Sequence, residues 1–429
     1  MYKFTHILMS IWMLIHLFDA PLRYLLDIAG IPLLIYVKDI ILVYIVLISI
    51  IHIIKRAMIN KLVFYIITTL FIGCLIGLLN QLSIVQVLFG LKIYLPFVCM
   101  IFYFTHYNVN LKFLRKLARI YIPIIFFALI VDYFFILPWQ GFSYNIGEHT
   151  IEGSRFWTTM GIQRLSGIQK TSFGSAILLY SLLTLVFLLN FYIKEKITIK
   201  EKIIDLLLTL MVITGVLLTT SKTTYIALVG LFVIFTLFYI YNNSNNRITK
   251  ILSNYLLKGY LLLLFLYATI PTLLITTNFS IHNLLNNNSY IWRFMFESYI
   301  SRLVSTWPQA IELFKNTYFN LFGRGVGGIG TAQMYFENNL YNPADNFFIY
   351  IYVTFGIISF LFIIILFIKL ISLKLERFGE FYIVVSIYSL LIFGATLNVI
   401  ESTYIISLLG LILGLYIKQT LFSKEESYF

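Results

Sequence analysis

Charge is scarce in this chain. Only 11% of its 429 residues are Asp, Glu, Lys or Arg, while 60% are hydrophobic; soluble domains carry roughly 25% charged residues. That deficit excludes a water-soluble globular body. Cysteine is nearly absent as well. Cys74 and Cys99 both fall within apolar runs and have no partner at a metal-ligand spacing, so they read as small buried residues and exclude a disulfide framework or a zinc site. The N-terminus lacks the pattern of a cleavable signal peptide, and its first apolar segment reads as an uncleaved anchor. No internal repeat is visible, which removes support for an inverted-repeat transporter.

What the chain has is apolar length. A helix crossing a bilayer needs about 20 apolar residues, and such stretches recur at 5–26, 33–53, 62–80, 84–106, 118–138, 172–193, 203–220, 223–241, 256–276, 346–368, 380–398 and 401–418. The first is interrupted by Asp19, Pro21 and Arg23. The expectation is an all-α polytopic integral membrane protein of about 12 transmembrane helices. It forms a single transmembrane domain over 1–429, with a large extracytoplasmic loop at 277–345 between spans nine and ten.

The basic residues sort by loop. With the N-terminus inside, the inner segments hold 20 of the 31 Lys and Arg, among them Lys55, Arg56, Lys112, Arg115, Lys116, Arg119, Lys194, Lys196, Lys200 and Lys202. Nearly all lie in short loops, where positive charge sets orientation, so both termini are expected in the cytoplasm. The net charge of +13 needs no nucleic acid partner. The 112–119 cluster suits anionic lipid headgroups at a helix end.

Two outer loops, 138–171 and 277–345, are long enough to hold a site. They carry Arg155, Arg164, Lys170, Arg293, Arg302, Lys315 and Arg324. Solvation explains any one of these, since long loops translocate freely; the set points to an anionic lipid-linked ligand. Within 298–315, Tyr299, Leu303, Trp307, Ile311 and Phe314 recur at helical steps. Two readings fit: an interfacial helix on the membrane with Pro308 as a bend, or a helical cap packed on the protein. Residues 325–330 match G-x-G-x-x-G but lack the strand that a dinucleotide fingerprint requires. Those glycines instead allow close approach of backbone to a helix or to a phosphate. Charges at or within spans are Lys38, Asp39, Lys92, Asp132, Asp205, Lys222 and Glu401. Lys222 sits among hydroxyls in a short outer turn, and Glu401 at the outer mouth of the last span.

Several segments resemble a known family. Gly90-Leu-Lys-Ile-Tyr-Leu-Pro96 is similar to the G-x-[RK]-x-Y-x-x-P pattern of the bacterial O-antigen polymerase and ligase superfamily. Arg164–Gly174 resembles its Arg-plus-Gly segment, and Leu218–Tyr225 its L-T-x-S-[RK]-[ST] turn. Leu321–Gly330, Asp345–Tyr350 and Phe355–Ile357 resemble the end of its large loop and the span beyond. The ligase branch usually has His-Asn where this chain has Asp345-Asn346, and the R-x10-G spacing of some polymerases is not met from Arg155 or Arg164. The resemblance favours the polymerase branch.

It implies a glycosyltransferase of the bacterial inner membrane that joins undecaprenyl-diphosphate-linked repeats into O-antigen or capsule. The implied partners are those lipid-linked oligosaccharides, membrane lipids and a chain-length regulator protein. Neither metal nor cofactor is expected, because the diphosphate is already a good leaving group and cations can hold it. Direct attack would invert the anomeric centre. On this reading Asp345 is base or acceptor-orienting group, with Glu401 as second choice. Arg155, Arg164, Lys222, Arg293 and Arg324 are the diphosphate ligands and Asn346 binds substrate. Asp345 also fits a plain helix N-cap. Rival functions are an O-antigen ligase and a non-catalytic lipid-linked oligosaccharide flippase.

Overall fold

A computed structural model of the protein describes residues 2–56, 61–146, 149–159, 161–193, 198–276, 297–317, 321–373, 375 and 378–425. Helices dominate: α1 (Tyr2–Leu17), α2 (Asp19–Ile28), α3 (Val37–Arg56), α4 (Lys61–Leu79), α5 (Ile84–His106), α6 (Leu111–Phe134), α7 (Ser172–Tyr192), α8 (Ile199–Leu218), α9 (Lys222–Asn243) and α10 (Arg247–Thr276). After them come α11 (Trp307–Glu312), α12 (Thr331–Phe336), α13 (Phe347–Phe355), α14 (Ile358–Ser372), α15 (Phe378–Gly394) and α16 (Thr403–Glu425). By length and composition 7 of the described helices can cross a membrane, or 8 if one bent pair counts as a span. The all-α polytopic architecture expected from apolar length is therefore present.

Individual spans depart from the expected twelve. The first is broken: α1 and α2 meet at 87° around Phe18. The tenth is also in two pieces, α13 and α14, because Gly356 turns the chain at φ +55°. The last two lie within shorter apolar helices, Glu380–Gly394 and Thr403–Gln419. Strand is present too. The 135–171 loop contains two antiparallel hairpins, β1 (Ser143–Ile146) with β2 (His149–Glu152) and β3 (Trp157–Thr159) with β4 (Ile162–Arg164).

The chain divides into two compact units. The first comprises Met1–His52, Pro96–Phe232 and Gly410–Phe429; the second comprises Ile53–Leu95 and Val233–Leu409. In the first unit, α7 buries residues on every side, including the unbroken run Tyr180–Val186, as an apolar core helix should. Its start is fixed by the Thr171 hydroxyl, which accepts from the Gly174 amide. Helices α6 and α8 are tied by Arg119, which donates to Asp205 at 2.9 and 2.8 Å, and by Arg115, which donates to Glu201 at 3.1 Å. Asp205 is thus paired, as is Asp132, whose carboxylate accepts from the Ser166 and Gly167 amides at 2.8 and 2.6 Å. These two intramembrane acids hold helix ends and a loop in place.

In the second unit the 298–315 segment forms a π-helical turn, Arg302–Thr306, followed by α11 and a final 3-10 turn. Trp307 is completely buried, Tyr299 stacks on Tyr267 of α10 at 5.9 Å, and Phe314 stacks on Tyr352 of α13 at 4.9 Å. The aromatic face packs on the unit's own helices. This corrects the interfacial-helix reading in favour of the cap. Pro308 opens α11 instead of bending it.

Candidate functional site

The framework of the site is a glycine knot in the second unit. Gly323, Gly325, Gly327 and Gly330 all have φ between +79° and +90°, a region nearly closed to residues with a Cβ. Space demands glycine too. A Cβ on Gly325 would overlap the backbone of Gly77 in α4, and one on Gly90 of α5 would come within 2.5 Å of the Gly327 nitrogen. The loop's amides are satisfied by protein: Val326 donates to the Gly73 carbonyl at 2.9 Å, Arg324 to Val353 at 2.7 Å and Gly330 to Asn342 at 3.0 Å. Of the two uses open to these glycines, the structure shows the helix approach. Two motifs more than 230 residues apart thus meet at Gly90 and Gly327.

Arg324 locks that loop. Its guanidinium is buried and donates to the Gly328 carbonyl at 2.8 Å and to Glu337 at 2.9 and 3.2 Å. Gln86 of α5 reaches the same carboxylate at 2.9 Å and the Gly327 carbonyl at 3.0 Å. Arg324, expected among the diphosphate ligands, braces the turn: its two terminal nitrogens donate to the Gly328 carbonyl and to Glu337 in a buried pocket.

Beside the knot stand two carboxylates. Asp345 sits in a strained turn, with Ala344 and Asp345 both left-handed at φ +60° and +47°. Its carboxylate receives Arg302 at 3.0 Å and keeps about a third of its surface open. It does not cap α13. Asn346 does, accepting from the Phe348 and Ile349 amides at 2.8 and 3.1 Å while its own amide donates to the Ala395 carbonyl at 3.2 Å. Asn346, expected to bind substrate, is fully buried and caps the helix, and the Asp345 side chain is released from that duty.

Glu401 ends a short 3-10 turn, Val399–Glu401, between α15 and α16. It accepts from the Thr331 amide at the start of α12 and lies against Gly330, which the ring of Tyr350 also flanks. Burial pushes its carboxyl up to about 7; the Thr331 amide and hydroxyl oppose that rise, and the charge of Asp345 adds to it. Two acids of one neighbourhood are therefore differentiated, one ion-paired and one poised near neutrality.

The remaining cations are in the first unit, apart from Arg293, which lies outside the described residues. Arg155 forms a two-toothed, largely exposed pair with Glu152 at 2.9–3.1 Å. Arg164 of β4 stacks over Trp157 at 4.7 Å, with Arg155 also over that ring at 5.5 Å. Lys222 starts α9, after Thr220 at φ +54°. A denser cluster surrounds Asp19, which receives Arg23 at 3.1 Å and Lys38 at 3.0 Å; Arg23 also donates to the Tyr144 hydroxyl at 2.6 Å. In sequence, Asp19 and Arg23 read only as interruptions of a span. The signal available was their four-residue spacing, which places both on one helix face. Arg302 was missed as the partner of Asp345 because nothing local joins positions 43 residues apart.

Fold and site together define a polytopic helical membrane protein with a differentiated pair of acids on a glycine-braced scaffold. Residues 206–364 match the family described as O-antigen ligase. That stretch includes Lys222, the glycine knot and Asp345, and it agrees with the superfamily that the motifs resemble. No curated protein and no solved structure matches the chain. The match supports a function of O-antigen polymerase or ligase type.

Proposed function

We propose that the protein is a polysaccharide repeat-unit polymerase. It transfers an undecaprenyl-diphosphate-linked glycan onto a lipid-linked repeat at the extracytoplasmic face of the bacterial inner membrane. The observation that carries this reading is the Asp345–Glu401 pair, with Glu401 held near 7 and Arg302 on Asp345. A proton acceptor works best when its pKa lies close to the working pH. Glu401, the second choice from sequence, is therefore the better base, and Asp345 with Arg302 orients the acceptor.

In the transfer, the acceptor hydroxyl oxygen attacks the anomeric carbon of the donor. The bond from that carbon to the diphosphate oxygen breaks, its electron pair leaving with the polyprenyl diphosphate. The hydroxyl proton passes to the Glu401 carboxylate. One direct displacement inverts the anomeric centre. Cations steady the departing diphosphate, a role proposed for Arg164, Lys222 and Arg293. The polymerase branch is favoured over the ligase by Asp345 standing where ligases usually have histidine.

The test is the ladder of surface glycan lengths in a deletion strain complemented with variants. Glu401→Gln should collapse the ladder to a single repeat at normal membrane abundance, and Asp345→Asn should shorten it. A wild-type ladder from Glu401→Gln removes the carboxylate as base. Long polymer stranded on its carrier in the deletion strain would identify a ligase, and absence of lipid-linked repeats from the outer face a flippase.

A further inference from the structure

The second unit buries a polar cluster around Glu401 that the transfer step leaves unused. Gly90 and Tyr94 are four residues apart on α5 and therefore share one helix face. Gly90 meets the glycine knot at Gly327, so the contact that fixes α5 also fixes Tyr94 one turn further along. Tyr350 lies in the first turn of α13, its amide donating to the Asn346 carbonyl at 3.0 Å, and both tyrosines are buried. Their hydroxyls come within hydrogen-bonding range of each other. Asn398 opens the 3-10 turn that carries Glu401. Its side-chain oxygen accepts from the Ile400 amide at 3.2 Å, and its amide group lies in range of the Tyr350 hydroxyl. Neither the Tyr94 hydroxyl nor the Asn398 amide nitrogen completes an aligned hydrogen bond among the described residues. Buried polar atoms left in that state are uncommon in folded proteins and call for a reason.

This cluster borders the Glu401 carboxyl. A Cβ on Gly330 would overlap a Glu401 oxygen and stand 3.3 Å from the edge of the Tyr350 ring, so glycine at 330 lets acid and phenol close on one spot. Tyr94 and Tyr350 both feel the Glu401 charge. Two other groups bear on that carboxyl: Thr331 at the start of α12, through its amide and hydroxyl, and Asp345, whose own charge is offset by Arg302. Behind Tyr94 the next titratable group is Cys74 of α4. No cation pairs with Glu401 among the described residues, so its ionised form depends on hydrogen-bond donors. A tyrosine hydroxyl both donates and accepts, and its hydrogen can rotate to suit its neighbours.

We propose that Tyr350, backed by Tyr94, is a positioning residue for Glu401. Its hydroxyl hydrogen points to the Tyr94 oxygen while the carboxyl is neutral and swings to the carboxylate when Glu401 ionises. Tyr94 then donates to the phenol oxygen it had accepted from, so no group is left bare in either state. No covalent bond changes; one hydrogen bond is exchanged for another. A hydrogen bond given only to the charged form favours that form, so the phenol limits the rise that burial imposes on the acid. Only the use Glu401 makes of its proton rests on the polymerase reading; the coupling of phenol to carboxyl needs no substrate.

The experiment follows the infrared carboxyl bands of the full chain in lipid nanodiscs as pH is raised, with Glu401→Gln identifying the band of this acid. In the wild type that band should fade through about 7. Tyr350→Phe should move the midpoint up by about one pH unit or more, the shift expected when a charged group loses one hydrogen bond. The rise of kcat/KM with pH should move with it, and Tyr94→Phe should move both by less in the same direction. An unmoved midpoint in Tyr350→Phe overturns the coupling whatever the loss of activity, because a packing role alone lowers the rate without shifting the titration. If Tyr350→Phe does not accumulate in membranes, Tyr94→Phe decides: an upward shift supports the coupling and an unmoved midpoint overturns it. The glycan ladder of Glu401→Gln separates this test from the assignment of the base. A collapsed ladder with an unmoved midpoint in Tyr350→Phe leaves the base standing without the phenol. A wild-type ladder with a shifted midpoint does the reverse.

Discussion

The two units use charge in opposite ways. In the first, Asp19 at the break of α1 and α2 is shared by Arg23 and Lys38, and the Lys170 ammonium near them makes no ion pair among the described residues. In the second, the cations are committed, Arg324 to Glu337 and Arg302 to Asp345, while Glu401 is an acid without an ion pair among the described residues. A place short of negative charge suits holding an anion. A place with a carboxylate near neutrality suits moving a proton. The difference lies less in which residues are present than in which of them the fold leaves uncommitted.

The largest expected effect breaks the scaffold beneath the second unit. Gly325→Ala places a methyl group in the backbone of Gly77 and a Cβ at φ +83°, so no folded protein should accumulate in membranes by immunoblot. Arg324→Met removes the cation from Glu337 and leaves its carboxylate with Gln86 alone. Loss of one partner of a buried pair costs about 3–5 kcal/mol. The thermal midpoint should drop sharply, and Arg324→Lys should recover only part of it, since a lysine cannot span both the Gly328 carbonyl and Glu337. A stable Arg324→Met protein that fails only in chain growth would return Arg324 to the diphosphate.

Next comes catalysis. Glu401→Gln should lower chain growth by about 10²–10⁴-fold, the usual contribution of a positioned base, with abundance unchanged. Glu401 is protonated below about 7 and ionised above it, so a base there gives a rate that rises through that pH. The free-enzyme profile of kcat/KM should therefore climb through about 7, and a profile flat from 6 to 9 would deny Glu401 that role.

Much of this was legible in sequence, for identifiable reasons. Apolar length marked the spans, and the positive-φ glycines could be read as a place of close approach. What pairs them could not be read: nothing local tells Gly90 that it will face Gly327, or Arg302 that it will meet Asp345. Adjacent Asp345 and Asn346 are both competent caps, and only the backbone decides that Asn346 bonds the amides of α13. The aromatic stripe of 298–315 has the same helical period whether it faces lipid or protein. Its burial against Tyr267 and Tyr352 became visible only in three dimensions. Position 18 likewise gave no hint of an 87° turn beyond the polar residues that follow it.

The smallest expected effect separates paired from unpaired cations within the first unit. Arg155 and Lys170 lie in one loop and share the charges of Arg23 and Glu152. Arg155, however, is about half exposed and doubly bonded to Glu152. Exposed pairs of this kind contribute only about 0–1 kcal/mol. Arg155→Ala should therefore leave the thermal midpoint and the glycan ladder close to wild type. A collapsed ladder in Arg155→Ala at normal abundance would show that the Glu152 pair opens to receive substrate. Charge already neutralised at the surface would then matter as much as the ammonium left over beneath it, and the contrast drawn between committed and uncommitted cations would fail in the unit where it is sharpest.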